Sequence, residues 1–385
     1  MSTEMIFLQL LKEVLLGETG EAFEQEIDMS ALYIMAYEHA VLPIISVALE
    51  RRGLLGQEDP MEAAFLETQL VSLYQVTQQE EELRLFTRLC EENKIPYIPL
   101  KGSVIRSMYP ESFMRNSGDV DVLVHEKNLN KLLSLSRAAG YTVGERESHD
   151  VALRTPRGIT IELHFTLFEY DKDIRTVLDH VWEGAKPREE GSYAYTLSPE
   201  HFVYYHMAHM LKHFLRGGCG VRFLTDLYVI RKAIHYDEAV LREMLRSTDM
   251  EIFYDAAVRV TDVWFSDGEH NAASQGLADF VLRAGILGNH ANYMVVRQLQ
   301  GKCRMAATMA RFFPPYSYMR NQYPKLKGHR CLLPVYYVKR WADVGLKCGF
   351  KRYKNWKKAQ NRVSEEQLEE TKALLDSLGL LSRRV

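Results

Sequence analysis

The sequence predicts an α+β protein in which a small mixed sheet lies between two helical regions. Residues 1–92 and 197–300 carry apolar side chains at helical spacing, whereas 93–196 hold short apolar runs and alternating patterns typical of strands. Glycine or proline separates most of these segments. We therefore expect an N-terminal helical cap (1–92), a mixed-sheet core (93–196), a second helical domain (197–300) and a basic, aromatic-rich C-terminal region with a final helix (301–385).

The composition is that of an ordinary globular protein. The 385 residues are 46% hydrophobic and 26% charged, enough for two or three domains' worth of core. No uncharged apolar run approaches 18 residues, and the first 16 residues carry acids rather than a basic signal region. The five cysteines form no C-x-x-C pair, which argues against a disulfide framework or a zinc knuckle. We expect a cytoplasmic protein with reduced thiols.

Three helical segments are predicted in the N-terminal cap. They cover 3–16, about 28–52 with an interruption near Pro43, and 60–93, and Gly17 and Gly53 end the first two. In the third segment, the polar run 78–82 is expected to face solvent. This long helix leads directly into the first strand.

A strand, a turn and a helix start follow one another over residues 95–109. Ile95 to Leu100 is a short apolar run, Lys101-Gly102-Ser103 breaks it, and a helix-like pattern resumes at Val104. Glycine lets a ligand come close, and free backbone N–H groups at a helix start attract anions. This arrangement favours a phosphate cradle, with a triphosphate as the expected ligand.

Two aspartates alternate with valines on the next strand. The strand period of two places Asp119 and Asp121 on one face and Val120, Val122 and Val124 on the other. Neighbouring carboxylates repel each other unless a cation lies between them, and oxygen ligands at this spacing suit Mg²⁺ together with substrate phosphates. The alternative interpretation is an edge strand with an acidic outer face.

A third carboxylate, Glu162, lies on the second strand of a hairpin predicted over 149–165. Its turn at 155–158 has proline at the second position and glycine at the fourth. The polar face of the returning strand carries Thr160, Glu162 and His164. Beside Asp119 and Asp121, Glu162 would complete a three-acid metal site. His164 is expected either to contact substrate or to cap this polar face.

The second helical region begins at Ser198, a good N-cap with proline at the next position. Three histidines share one stripe of this helix: His206, His209 and His213. They could bind zinc, but we favour a position facing nucleotide or acceptor. On the following helix, Arg222 and Asp226 are one turn apart, as in an intrahelical ion pair.

Four sequence fragments together resemble a known superfamily. They are P-L-K-G-S at 99–103, Y-P at 109–110, R-x-x-x-D-V-D-V-L-V at 115–124 and E-L-H at 162–164. This set is similar to the polymerase-beta-type nucleotidyltransferases and, within them, to a bacterial group of uncharacterised nucleotidyltransferases. The resemblance implies a nucleotidyltransferase core at 93–196 and Mg²⁺-dependent transfer of a nucleoside monophosphate from an NTP, such as ATP, to an acceptor, with release of pyrophosphate.

The resemblance also implies roles for individual residues. Asp119 and Asp121 would bind two Mg²⁺ ions, which Mn²⁺ could replace, and Glu162 would complete the second site and position or deprotonate the attacking hydroxyl. The expected nucleotide-binding residues are Lys101, Gly102, Ser103 and Arg115. The expected substrate cleft is lined by His164, His206, His209, Arg222 and Asp226.

The sequence leaves the acceptor, the base preference and the oligomeric state open. One alternative function is a non-catalytic nucleotide-binding or polyanion-binding protein, and another is a protein-nucleotidylating (AMPylating) enzyme. Tighter binding of NTP with Mg²⁺ than without it would favour a catalytic protein.

Positive charge is concentrated near the C-terminus. Residues 301–363 hold 16 Lys or Arg and one acid, a net charge of +15, so the other 322 residues carry −18. Tyrosine and tryptophan lie between the charges, and the densest cluster is at 351–358. The segment is expected either to bind an anionic partner (nucleic acid, membrane surface or phosphorylated substrate) or to neutralise the chain's own acidic helices. A capping box at 364–367 then predicts a final helix to Leu378.

Overall fold

The computed structural model describes residues 2–56, 58–168 and 171–286 and, beyond them, 295–296, 299, 313–314, 316, 319, 323, 326, 329–342 and 365–381. The dense basic cluster expected at 351–358 lies outside the described residues. Among those that are described, no helix has both the length and the apolar character that a membrane span requires.

Four helices precede the sheet: α1 (Thr3–Leu16), α2 (Met29–Glu38), α3 (Leu42–Arg51) and α4 (Pro60–Glu92). Gly17 ends α1 with φ 74°, as predicted. The single interrupted helix expected over 28–52 is two separate helices, because Ala40 adopts φ 55° and turns the chain before α3. Pro43 lies in the first turn of α3, where its missing N–H has no helical acceptor to lose.

The predicted mixed sheet is confirmed. Its strands are β1 (Tyr97–Pro99), β2 (Val120–Val124), β3 (Thr142–Arg146), β4 (Asp150–Arg154) and β5 (Thr160–His164). Their order is β1-β2-β5-β4-β3, with β2 and β5 parallel and the other pairs antiparallel. The short helix α5 (Gly102–Ile105) follows β1, and α6 (Glu126–Ala138) follows β2. The predicted turn between β4 and β5 is present, with Gly158 at φ 86° and its N–H donating to the Thr155 carbonyl.

The two faces of the sheet have different chemistry. One face is apolar: Val122 and Leu163 are fully buried there with Phe86 of α4 and Leu129 of α6. Because side chains alternate along a strand, the neighbouring polar residues of β2 and β5 point to the opposite face. That face turns towards the second helical region, which therefore covers the polar side chains.

A short helix and a two-stranded pair connect the sheet to the second helical region, which begins with the helix at Pro199 and packs into the same core as the N-terminal helices. The elements are α7 (Lys172–Leu178), β6 (Lys186–Pro187), β7 (Tyr195–Thr196), α8 (Pro199–Phe214), α9 (Val221–Ala233), α10 (Glu238–Arg246), α11 (Glu251–Phe265) and α12 (Ala272–Ala284). Further helical segments cover 333–342 and Glu365–Ser377. Phe7 of α1, Phe214 of α8 and Phe253 of α11 belong to one continuous buried cluster, which Leu375 of the C-terminal helix joins. Apolar burial thus links both ends of the described chain.

Candidate active site

Strand register brings the predicted carboxylates together. In the parallel pair β2–β5, Asp121 lies directly beside Glu162. Asp119, two residues earlier, is half-buried immediately before β2, and His164 lies two residues beyond Glu162 on the same face. One ligand atom from each of Asp121, Glu162 and His164 lies within 4.8 Å of the other two. Asp121 and Glu162 therefore meet with His164 at the polar face of the sheet, whereas Asp119 is not one of the three residues of this group.

Two cationic or proton-donating side chains converge on Asp121, which is 3% exposed. Lys101 Nζ and His164 Nε2 each lie 2.7 Å from Asp121 Oδ1. Burial alone would raise the pKa of this carboxyl group, but the charge of Lys101 and the hydrogen bond from His164 hold it well below its usual range. Asp121 is therefore ionised at neutral pH and accepts both hydrogen bonds.

The pKa values of the other two carboxylates, Asp119 and Glu162, are raised rather than lowered. Burial and, after it, repulsion from Asp121 raise the pKa of Asp119. Burial, together with repulsion from Asp119 and Asp121, also raises the pKa of Glu162. A divalent cation among these oxygen atoms would remove both the repulsion and the desolvation penalty. The donor set fits a divalent metal.

The turn before α5 aims Lys101 at this carboxylate cluster. Lys101 has φ 45°, a conformation that costs a non-glycine residue roughly 1–3 kcal/mol and that is often found at functional sites. Gly102 allows a close approach, because a Cβ atom there would lie only 3.0 Å from Ser117 Oγ. Ser103 Oγ donates to the Leu100 carbonyl at 2.9 Å. The first amides of α5, at Gly102 and Ser103, have no intrahelical acceptor.

Arg115 and Asp226 form a buried ion pair that the sequence did not predict. Arg115 Nε donates to Asp226 Oδ1 at 2.7 Å and Nη2 donates to Oδ2 at 2.8 Å, while the Tyr109 hydroxyl donates to Oδ1 at 2.7 Å. The expected intrahelical pair between Arg222 and Asp226 is thus replaced by a pair between distant segments. Arg115 Nη1 also donates to the Asn116 carbonyl at 2.9 Å, so Arg115 orders the loop that leads to Asp119.

Arg222 lies on the other side of the same loop. Its Nη1 donates to the Asn116 carbonyl at 3.4 Å. Burial and then the charge of Arg115 lower its pKa to about 10, so the guanidinium remains protonated at neutral pH. Its charge acts on Asp119, whose pKa it lowers in opposition to burial. Arg222 therefore contributes positive charge at the edge of the carboxylate cluster.

The three histidines of α8 have structural contacts. His206 Nε2 lies 3.0 Å from the Phe223 carbonyl oxygen, and His209 Nε2 lies 3.2 Å from His213 Nε2. Burial lowers the pKa of all three rings, that of His213 to about 4, which keeps them neutral at pH 7. Within the described chain, they do not form a metal-binding group. His206 and His209, with Lys101, Arg222 and Asp226, line a narrow gap of about 30 Å³.

Two buried residues near the site, Gln79 and Arg106, escaped the sequence analysis. Gln79 of α4 donates to the Ser117 carbonyl at 2.7 Å and accepts from Arg106 Nη2 at 2.7 Å. Arg106, which is also buried, donates from Nε to the Gly102 carbonyl at 3.0 Å. The prediction that the run 78–82 faces solvent was therefore wrong for Gln79 and for Glu82, which are both buried. A helical wheel with Val76 and Phe86 on the inner face could have indicated Gln79.

An open cleft of about 700 Å³ adjoins the loop before Asp119. The loop residues Ser117 and Gly118 form one wall, and α2, α4 and α9 form the others. The cleft is lined by aromatic, apolar and neutral polar side chains, with Glu67 and Arg222 as its charged residues. Its size and mixed lining suit one organic substrate next to the carboxylates.

A family of known proteins matches most of this chain. The family described as "Uncharacterised nucleotidyltransferase" matches residues 25–266, which include every site residue predicted from the sequence. Among solved structures, the chain is similar to the antibiotic-resistance factor ANT(2'')-Ia at 12% identity and a TM-score of 0.34, over 47% of this chain and 97% of that one. No curated protein matches the chain. Since the family match spans well over half of the sequence, the chain belongs to the uncharacterised nucleotidyltransferase family.

Proposed function

We propose that the protein transfers a nucleoside monophosphate from an NTP to an acceptor and releases pyrophosphate, using a divalent metal held by Asp119, Asp121 and Glu162. Family membership supports nucleotidyl transfer in general. The observation that carries the finer proposal is the β2–β5 register, which sets Asp121 beside Glu162. Asp119 lies two residues before Asp121, on the same face. Three buried or half-buried carboxylates on one sheet face are costly without a cation.

Mg²⁺ is the proposed metal, and Mn²⁺ is expected to replace it. Asp119 and Asp121 would hold both ions of a two-ion site, and Glu162 would complete the second. When bound, such ions neutralise the triphosphate and activate the attacking hydroxyl. The pKa of Glu162 is raised whereas that of Asp121 is lowered, so Glu162 is a better proton acceptor than Asp121. We propose that Glu162 positions the acceptor hydroxyl or takes its proton.

The triphosphate is proposed to lie over the β1–α5 turn. The first amides of α5 at Gly102 and Ser103 would donate to its phosphate oxygens, and Lys101 would supply positive charge. In this structure, Lys101 Nζ forms an ion pair with Asp121 Oδ1 at 2.7 Å and neutralises that carboxylate. We propose that Lys101 turns from Asp121 to the phosphates when substrate binds. Arg115 acts by ordering the loop that leads to Asp119, because its Nε and Nη2 already donate hydrogen bonds to Asp226.

The acceptor is proposed to enter through the 700 Å³ cleft beside Ser117 and Gly118. The neighbouring surface of α2 and α4 favours a protein acceptor as a second candidate, and hence an AMPylating enzyme. Large apolar side chains are exposed there, among them Tyr37 (69%), Leu70 (70%) and Tyr74 (66%). Contiguous exposed apolar surface commonly marks protein-binding sites.

The basic segment 301–363 is proposed to bind an anionic partner. In its described part, the side chains of Val335, Val338 and Trp341 are exposed along one side of the helical segment 333–342, and that of Leu332 is exposed just before it. Lys339 and Arg340 accompany this apolar stripe, so the surface combines apolar area with positive charge, as membrane-surface and nucleic-acid sites do. Binding to RNA and to anionic vesicles at rising salt concentration tests this proposal, because release of counterions makes such binding weaken with salt.

Equilibrium binding of an NTP with and without Mg²⁺ tests the metal-dependent site. We expect the parent protein to bind the NTP much more tightly with Mg²⁺ than with a chelator. Asp121→Asn should abolish most of this difference while leaving the circular dichroism spectrum unchanged. Equal NTP affinity with and without Mg²⁺ in the parent would contradict the proposal and favour a non-catalytic binding protein.

A further inference from the structure

The polar face of the sheet continues onto β4, where a second group of metal-binding side chains lies. Asp150 of β4 pairs in register with His164 of β5, and His149 immediately precedes Asp150. One ligand atom from each of His149, Asp150 and His164 lies within 4.8 Å of the other two. Neither His149 nor Asp150 has a role in the proposed transfer reaction.

The two ring nitrogens of His164 have different surroundings. Nε2 lies 2.7 Å from Asp121 Oδ1, and an ionised carboxylate can only accept, so Nε2 carries a proton. In the neutral ring, Nδ1 then presents a lone pair. Nδ1 is buried and has no hydrogen-bond partner among the described residues. A buried nitrogen without a partner is costly, and a metal ion bound to it would remove that cost.

The neighbouring side chains supply the other donors that a transition metal needs. His149 Nε2 lies 3.3 Å from Asp150 Oδ2, and their side chains are only 20% and 13% exposed. The centroids of the His149 and His164 rings are 5.8 Å apart. Two imidazoles and one carboxylate match the ligand sets of Zn²⁺, whereas Mg²⁺ prefers oxygen ligands alone.

We propose that His149, Asp150 and His164 form a second cation site, selective for Zn²⁺ or a similar transition metal, next to the oxygen-rich site of Asp119, Asp121 and Glu162. His164 is shared by the two sites, with Nδ1 directed to the transition metal and Nε2 to Asp121. Metal on Nδ1 fixes the tautomer that donates to Asp121, so His164 acts as a positioning residue for the carboxylate. This inference goes beyond the proposed transfer reaction and needs no NTP.

The test measures Zn²⁺ bound to the full chain in excess Mg²⁺ and without nucleotide. Protein stripped by a chelator is titrated with Zn²⁺ against a coloured competitor, and the retained metal is counted by mass spectrometry after gel filtration. We expect one Zn²⁺ per chain. His149→Gln and Asp150→Asn should each weaken it by about tenfold or more, since even indirect partners of metal ligands contribute this much. Glu162→Gln and His235→Gln, the latter at an exposed histidine, should leave Zn²⁺ affinity unchanged.

Two results would overturn the inference. One is the absence of stoichiometric Zn²⁺ in the parent protein. The other is loss of Zn²⁺ affinity in Glu162→Gln but not in His149→Gln, which would place the metal among the candidate active-site carboxylates. Co²⁺ in the parent protein gives a readout that needs no variant. Intense d–d absorption of a four- or five-coordinate ion is expected, and the weak absorption of a six-coordinate ion would contradict the site.

Discussion

At the scale of single residues, the ammonium group of Lys101 neutralises the Asp121 carboxylate in place of a metal ion. Its Nζ lies 2.7 Å from Asp121 Oδ1. Replacing it in Lys101→Met removes a positive charge beside the carboxylates but leaves the strained backbone conformation in place. We expect Mn²⁺ without nucleotide to bind about tenfold more tightly and the NTP with metal to bind about tenfold more weakly. Electron paramagnetic resonance of free Mn²⁺ and an NTP titration measure the two changes, and a parallel loss of both affinities would contradict the proposed exchange of partners.

Glu162 is expected to affect chemistry more than binding. Asp119 and Asp121 remain available to hold the metal of the bound NTP in Glu162→Gln, whereas the proposed proton acceptor is lost. The rate of a single turnover should fall by about 100-fold or more, with an NTP dissociation constant changed by less than about threefold. A proportional loss of NTP affinity would instead assign Glu162 to nucleotide binding.

The buried pair of Arg115 and Asp226 makes a prediction about stability. Asp226→Asn leaves the Arg115 guanidinium buried without a compensating charge, which should cost about 3–5 kcal/mol of unfolding free energy in urea. Tyr109→Phe removes one hydrogen bond to the same carboxylate and should cost about 1 kcal/mol. The double change Arg115→Met with Asp226→Leu should recover much of the loss. A cost below 1 kcal/mol for Asp226→Asn would show that the pair does not stabilise the fold.

At the scale of secondary-structure elements, His39 connects three helices. It follows α2, its Nε2 lies 3.2 Å from the Leu282 carbonyl oxygen of α12, and its Nδ1 accepts from the Val221 N–H of α9 at 3.3 Å. Burial lowers its pKa from 6.5 to about 4, against the smaller effect of the Leu282 hydrogen bond. Between pH 6.5 and pH 4, His39 is therefore protonated in the unfolded chain but neutral in the folded chain.

This difference sets the direction of the pH dependence. The stability contributed by neutral His39 is present above pH 6.5 and is lost as the pH falls towards 4, about 2 kcal/mol of it by pH 5. Urea unfolding at pH 7.5 and pH 5 should show a smaller decrease for His39→Gln than for the parent. His235→Gln, at an exposed site, is the matched control and should behave like the parent. An unchanged decrease in His39→Gln would contradict this assignment.

The elements differed in how far the sequence could predict them. Strand periodicity and turn residues predicted the β4–β5 hairpin, because Pro156 and Gly158 fix local backbone angles. The strand pattern indicated that Glu162 could lie beside the aspartates, but it did not fix the parallel register, which pairs residues 41 positions apart. The Arg115–Asp226 pair joins segments 111 residues apart, so no local pattern indicates it. Gln79 was misjudged because its polar character suggested solvent, whereas its amide hydrogen-bonds the loop before Asp119.

At the scale of the whole molecule, the N-terminal and C-terminal helices share one buried core around the polar sheet face. This common core places α4 and α9 beside the loop 116–118 and leaves Asp121 buried. Whereas the core is shared, charge is separated along the chain. Residues 301–363 carry a net charge of +15, and the other residues carry −18. We propose that the four regions predicted from the sequence divide the work accordingly: the core 93–196 catalyses transfer, 1–92 and 197–300 enclose the substrates, and 301–385 recruits an anionic partner.

The most direct test of the central claim follows the α-phosphate of the substrate. Parent protein and Asp121→Asn are incubated with Mg²⁺, each of the four NTPs labelled at the α-phosphate, and a cell extract as the source of acceptors. The account predicts a labelled acceptor and equimolar pyrophosphate with the parent, and neither with Asp121→Asn, although both proteins show the same circular dichroism spectrum. Label transfer that is undiminished in Asp121→Asn, or NTP hydrolysis without a labelled acceptor in the parent, would contradict it.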